Sequence, residues 1–261
     1  MNIIVCLKQV PGTTHVKINS ETNSLVREGI ENIINPFDTY AIEEGVRLKE
    51  KHEGKVTVMC MGPSQAEAAL REAISLGADE AILLSDRAFA VADTWATAYT
   101  ISRAAVKIAD YDLIICGRQT IDGDTGQVGP ELAEMLDIPF VAYVSNIEEI
   151  DGKKLRVRRM VEEGHEVIET TLPAVITVAK EINVPRLPSL RGKMKAKSAP
   201  ITTWTINDLD VSEDMVGLKG SSTQVIKVFF PERVSQAEIL EGDLETRVDT
   251  LIDRLKGANL C

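Results

Sequence analysis

The residues best suited to chemistry form one run, Gly117-Arg118-Gln119-Thr120-Ile121-Asp122-Gly123-Asp124-Thr125-Gly126-Gln127-Val128-Gly129. Gly123, Gly126 and Gly129 allow close backbone approach, and Thr125 or Asp124 can cap a helix starting near Gln127. N–H groups at such a helix start would hold a diphosphate. Asp122 and Asp124 would repel that anion, so at least one is expected to turn away, to cap the helix or to meet a ribose hydroxyl. The same spacing describes an ordinary glycine-rich turn ahead of a helix, and the residues alone leave both readings open. No GxGxxG follows the first strand and no GxxxxGK[ST] occurs, which argues against a conventional dinucleotide fold and against a nucleotide triphosphatase.

Other chemistry is poorly served. Cys6, Cys60 and Cys116 fall at strand ends, but their separation makes no CxxC pair, and buried small residues in strands are the favoured account. The three histidines, His15, His52 and His165, lack metal-site spacing and suggest no Ser/His/Asp constellation. Glu162 and Glu163 belong to a turn. Asn35-Pro36-Phe37-Asp38 precedes a helix, where capping is the simpler explanation. Side chains therefore offer little catalytic apparatus, and a cofactor would have to carry any hard reaction.

These residues must be positioned by an alternating pattern. Short apolar runs, Asn2–Leu7, Lys55–Met61, Glu80–Leu84, Asp112–Cys116 and Pro139–Val144, lack clean alternation, as expected of strands covered on both faces. Between them lie helix candidates at about Asp38–Lys51, Ser64–Leu76, Asp93–Ala109 and Gln127–Leu136, with Gly54 and Gly77 where helix ends favour a left-handed residue. The pattern predicts an α/β fold with an open, doubly wound, mostly parallel sheet. The ends of its first, second and fourth strands would converge on one crevice, contributing CLKQVP, Met61-Gly62-Pro63 and the glycine run.

From Val144 the period changes. KKLRVRRMVEEGHEVIETTLP reads as an antiparallel hairpin extending one sheet edge, followed by the strand Ala174–Val178. The next run, NVPRLPSLRGKMKAKSAP, holds three prolines, a glycine and five basic residues and is read as too broken for a helix. The tail shows one strand-like run, Thr223–Phe230, and one helix candidate, Gly242–Lys256, with too few apolar positions for its own core. The expected organisation is residues 1–182 as an α/β domain with its hairpin, 183–200 as a loop, and 201–261 as an arm that packs on something else.

Length and charge agree with this. The chain has 261 residues with 44% hydrophobic, enough for a packed core. Its 40 acidic against 29 basic residues give a net charge of -11, which disfavours nucleic acid and anionic membranes as general partners. No apolar stretch is long enough to span a bilayer, and MNIIVCLKQV lacks a basic leader, so a soluble, unprocessed, cytoplasmic chain without membrane insertion is expected.

Seven separated motifs carry a resemblance. CLKQVP, NPFD, AIEEGVRLKEK, MGP with LREAISLGAD, GRQTIDGDTGQVGPELAE, VRRMVEEGHEVIETTLPAVITV and NVPRLPSLRGKMKAK are similar to the β subunit of electron-transfer flavoproteins over essentially the whole chain. The hairpin run matches that family's signature at Arg159, Glu162, Glu163, Glu166 and Pro173.

The resemblance implies an adenine-nucleotide α-hydrolase-like fold and an obligate heterodimer with an α subunit, relaying electrons between dehydrogenases and other redox proteins. It carries nucleotide contacts to Cys6, Asn35, Pro36, Phe37, Asp38 and Met61. It carries them further to Gly117, Arg118, Gln119, Thr120, Ile121, Asp122, Gly123, Asp124, Thr125, Gly126, Gln127 and Val128. Mitochondrial-type relatives hold AMP there. The spelling Asp122-Gly123-Asp124-Thr125-Gly126 resembles the electron-bifurcating, NADH-oxidising branch, which binds a second FAD, and Gly123 would leave room for it. That branch sends one electron to ferredoxin or flavodoxin and the other, through the α-subunit FAD, to an acyl-CoA dehydrogenase-like enzyme. The basic run then matches a partner-recognition loop, with Leu190 as apolar anchor beside Arg191, Met194 and Lys195, and the tail would wrap the α subunit. A carrier holding AMP, and a stand-alone nucleotide-binding domain, are the alternatives; the recognition loop and long tail argue against the second of these.

Overall fold

A computed structural model describes residues 1–12, 17–19, 24–26, 31–227 and 237–260. The strands are β1 (Asn2–Cys6), β2 (Gln9–Pro11), β3 (Lys17–Asn19), β4 (Ser24–Val26), β5 (Asn32–Ile34), β6 (Lys55–Met61), β7 (Glu80–Leu84), β8 (Leu113–Gly117), β9 (Phe140–Asp151), β10 (Lys154–Val161), β11 (Gly164–Thr171), β12 (Ala174–Val178) and β13 (Thr202–Trp204). The α-helices are α1 (Pro36–His52), α2 (Glu67–Leu76), α3 (Thr94–Ile108), α4 (Val128–Leu136), α5 (Leu190–Ser198), α6 (Gly217–Gly220) and α7 (Leu244–Gly257).

Nine strands form one sheet in the order β11-β10-β9-β12-β8-β1-β6-β7-β13. Pairing is parallel from β9 through β13, and antiparallel where β10 joins β9 and β11. Period-2 alternation sorts each central strand between two cores. Ile3, Val5, Leu113 and Ile115 meet Ala41, Ile42, Leu70 and Ile74 of α1 and α2, whereas Ile4, Cys6, Ile114 and Cys116 meet Ala98, Ile101 and Leu132 of α3 and α4. Each fully buried aliphatic side chain contributes about 1.5–3 kcal/mol, so these runs read as continuously apolar because both faces are covered. The α/β, doubly wound architecture is as the sequence pattern predicts. Winding proceeds from β1 to β6 and β7 on one side and turns back to β8 on the other, which puts the reversal of strand order between β1 and β8.

Several sequence expectations need correction. The basic run contains a helix after all. Its prolines, Pro185, Pro188 and Pro200, all fall outside α5, and Ser189 caps it by accepting the Gly192 N–H at 2.9 Å. The strand expected over Pro139–Val144 continues to Asp151, so the hairpin is the outer part of a three-stranded antiparallel extension. At the end of α1 it is Glu53, at φ 50, that takes the left-handed conformation, and Gly54 does not; Gly77, at φ 126, ends α2 as expected.

The expected boundary at residue 201 also moves. The first compact unit is Met1–Ile226, because β13 adds to the sheet beside β7 and Leu209 and Val216 enter the core. The run Thr223–Phe230 is not a strand over 223–227, and 228–230 lie outside the described residues. The second unit, Lys227–Cys261, contains α7, capped by Asp243 accepting the Thr246 N–H at 2.9 Å. None of the described helices is long and apolar enough to cross a membrane.

Candidate functional site

The C-terminal ends of β1 and β8 lie side by side, with Cys6 in register with Cys116. Two short connections then bring the asparagine–proline motif onto this edge. β2 pairs antiparallel with β5, and the Asn35 N–H donates to the Lys8 carbonyl at 2.8 Å, so residues 35–38 start α1 beside the end of β1. Pro36 fits the first helical turn, where its missing N–H costs nothing.

Asn35 is fully buried and binds the glycine run at two points. Its Nδ2 donates to the Gln119 carbonyl at 2.9 Å and its Oδ1 accepts the Ile121 N–H at 3.2 Å. Asp38, 4% exposed, accepts the Lys8 N–H at 2.7 Å. Burial pushes its carboxyl up to about 7, against hydrogen bonds from Lys8, Asn35 and Gly117 that pull it down. The motif thus does more than cap a helix: it ties β1, α1 and the bend after β8 together.

Both carboxylates of the bend have partners. Asp122 pairs with Lys8 Nζ at 2.7 Å; partial burial opposes its charge, but Lys8 and Thr120 hold it below its ordinary value. Asp124, at φ 54, accepts from the Gln119 side-chain amide. The capping expected of Thr125 or Asp124 does not occur, since α4 starts at Val128 behind Gln127 with no side-chain cap. Its first N–H groups therefore have no side-chain acceptor at the cap, as suits an anion.

The glycines divide by cause. A Cβ on Gly129 would stand 2.5 Å from Thr177 Cγ2 and 3.3 Å from Phe140 Cε2, so close packing of α4 on the sheet dictates that residue. Gly123 has neither a positive φ nor a crowded Cβ, which would meet only Thr120 Oγ1 at 3.4 Å. Nothing within the fold demands glycine there, and the space beside it suits a ligand.

Cys6 is buried beside Cys116, and that contact together with burial holds its thiol well above the ordinary range. Burial pushes Cys60 up to about 12. Both stay protonated near neutrality, so thiolate chemistry is not supplied here. Met61 ends β6, one strand beyond β1. Among the described residues, no group of three or more His, Cys, Asp or Glu could hold a metal ion.

The sequence-predicted residues after β1, before α1 and after β8 are therefore brought together. Leu190, Arg191, Met194 and Lys195 lie elsewhere, on α5 packed against α2. Leu190 is 78% exposed and Met194 is exposed, but Lys195 donates to the Ala78 carbonyl at 3.0 Å and lies 3.8 Å from Asp79. Lys195 thus helps fix α5 in place. Sequence reasoning missed Leu187, 89% exposed, although it lies three residues before Leu190. It also passed over Lys8, present in CLKQVP, and Tyr143, for which a strand interior gives no signal. Arg118 has its guanidinium 5.5 Å from the Phe37 ring centre and 5.3 Å from that of Tyr143.

Comparison with known proteins decides the family. The electron transfer flavoprotein domain matches residues 22–209. An electron transfer flavoprotein subunit beta of Thermoanaerobacterium thermosaccharolyticum is 50% identical over 261 residues, covering 100% of both chains. The chain belongs to the electron transfer flavoprotein β-subunit family. The caffeyl-CoA reductase–Etf complex subunit CarD of Acetobacterium woodii is 46% identical over 98% of both chains. Protein FixA of Azotobacter vinelandii is 45% identical, over 93% of this chain and 89% of its own. As an electron transfer flavoprotein β subunit, the chain acts in electron transfer within a complex and has an α subunit as its partner.

Proposed function

We propose that the chain is the FAD-binding β subunit of an electron-bifurcating flavoprotein with NADH as donor. The observation that carries this is the open bend at Gly123 ahead of the uncapped start of α4, at the reversal point between β1 and β8, a place whose backbone N–H groups would suit a diphosphate. The residues fit such a group. Asp122 and Asp124 are engaged by Lys8 and Gln119, and Arg118 adds a cation at the end of β8.

FAD held there would accept hydride from NADH and part its electrons, one towards ferredoxin or flavodoxin and one towards the α-subunit FAD and an acyl-CoA dehydrogenase-like partner. The chain's own residues bind and orient. Asn35 holds the bend, Asp38 fixes the ends of β1 and α1, and the protonated cysteines stay out of the reaction. The relative named as part of a caffeyl-CoA reductase–Etf complex supports a partner acting on a CoA ester. The exposed patch of Leu187, Leu190 and Met194 with Arg191 beside it is the docking surface in this reading, and segment 227–261 serves the α subunit.

Analysis of cofactors released from the purified α–β complex tests this. Two FAD per pair, with flavin absorbance bleached by NADH, is the expected result. One FAD with one AMP, and no bleaching, would replace bifurcation with the simple carrier.

A further inference from the structure

We propose that Tyr143 is a positioning residue of the crevice: with Phe37 it clamps the Arg118 guanidinium where it can meet the diphosphate of a bound dinucleotide. This rests on the reading of the crevice given above.

Three observations converge. Arg118 lies directly after β8, its guanidinium within cation–π reach of two rings, at 5.3 Å and 5.5 Å. Its Nε donates to Gln119 Oε1 at 2.7 Å, and it makes no ion pair among the described residues. Two rings and one hydrogen bond orient a planar cation without neutralising it, which prepares its terminal nitrogens for paired bonds to phosphate oxygens.

Second, Tyr143 has φ 57 within β9. Bulky residues avoid this conformation, which persists only where the surroundings impose it and clusters at functional sites. Third, the strand is bulged at the same point. Pairing passes from Ile176↔Val141 to Val178↔Val144, so β9 has one residue more than β12, and the Tyr143 N–H is taken by Thr177 Oγ1 at 3.2 Å. Bulges beside active sites re-aim a side chain. Core packing does not account for the strain, because Tyr143 is 40% exposed. What the bulge achieves is the ring's place against Arg118.

The test uses the co-purified α–β complex with its β site emptied, titrated calorimetrically with ADP, which presents the adenosine diphosphate half of FAD. Tyr143→Gly relieves the backbone, so its melting temperature should equal or exceed wild type while ADP binding weakens about tenfold, a loss between those of an exposed and a fully desolvated cation–π contact. Tyr143→Phe, which keeps the ring, should restore binding to within about twofold. Arg118→Ala should show the same loss, and Arg118→Ala with Tyr143→Gly no greater one, since the residues act as a unit. Undiminished ADP binding by Tyr143→Gly, with Arg118→Ala impaired, would overturn the role of Tyr143 and leave the crevice reading standing. Undiminished binding by Arg118→Ala and by Gly123→Val alike would overturn the crevice reading and this inference with it.

Discussion

Asp38 shows how one side chain can serve both the fold and the site. It is buried at the point where β1, α1 and the bend after β8 meet, and it accepts the Lys8 N–H. Burial raises its carboxyl to about 7, so between its unfolded value near 3.8 and about 7 the native protein binds more protons at this site than the unfolded chain. Stability from this group therefore falls as pH rises through that window, and is flat above it. Asp38→Asn keeps an acceptor for Lys8 and carries no charge. The melting temperature of Asp38→Asn relative to wild type should climb from pH 4 to pH 7 and then level off; a difference independent of pH would show that Asp38 is not buried in this way. The sequence placed Asp38 in the first turn of a helix, where capping was the economical account. Its contact with Lys8 spans 30 positions, and no local pattern reveals that.

Among the elements, α5 is the one most at odds with its sequence. At nine residues it is too short to hold alone, and it depends on contacts. Ser189 caps its start, while Arg71 of α2 donates to the carbonyls of Ala196 at 2.6 Å and Ala199 at 3.2 Å at its end. Upstream, Arg186 grips Glu43 at 2.8 Å and Glu50 on α1, both carboxylates holding the guanidinium firmly in its charged form. The patch of Leu187, Leu190 and Met194 is thus displayed from a fixed mount. Ser189→Ala should cost about 1 kcal/mol of local stability. With Arg71→Ala, it should speed amide exchange over residues 190–198 and leave β1 and β8 unchanged. Equal protection in the variants would mean that packing alone holds the helix. The long apolar strands and amphipathic helices were legible because burial on both faces leaves a local imprint. The three-residue strands β2, β5 and β13 were not, since so short a strand is set by its neighbours. In the basic run, the number of prolines suggested disorder of pattern, but their positions before and after the helix are what matter.

At the scale of the molecule, the two units differ in kind. Every buried apolar residue among those described lies at or before Val216, within unit Met1–Ile226. In the second unit, α7 has fourteen residues and exposes Leu244, Val248, Leu251 and Ile252 at spacings of four, three and one, a single apolar stripe. A helix of that length with its apolar face in water is marginal, and the proposed function puts the α subunit against this stripe. A chain ending at Ile226 should keep the cooperative melting of the α/β unit yet elute apart from the co-expressed α subunit on size exclusion. Val248→Asp with Leu251→Asp in the full-length chain should do the same, because desolvating two carboxylates costs more than the interface gains there. A heterodimer that survives both changes would place the α-subunit contact on the first unit instead.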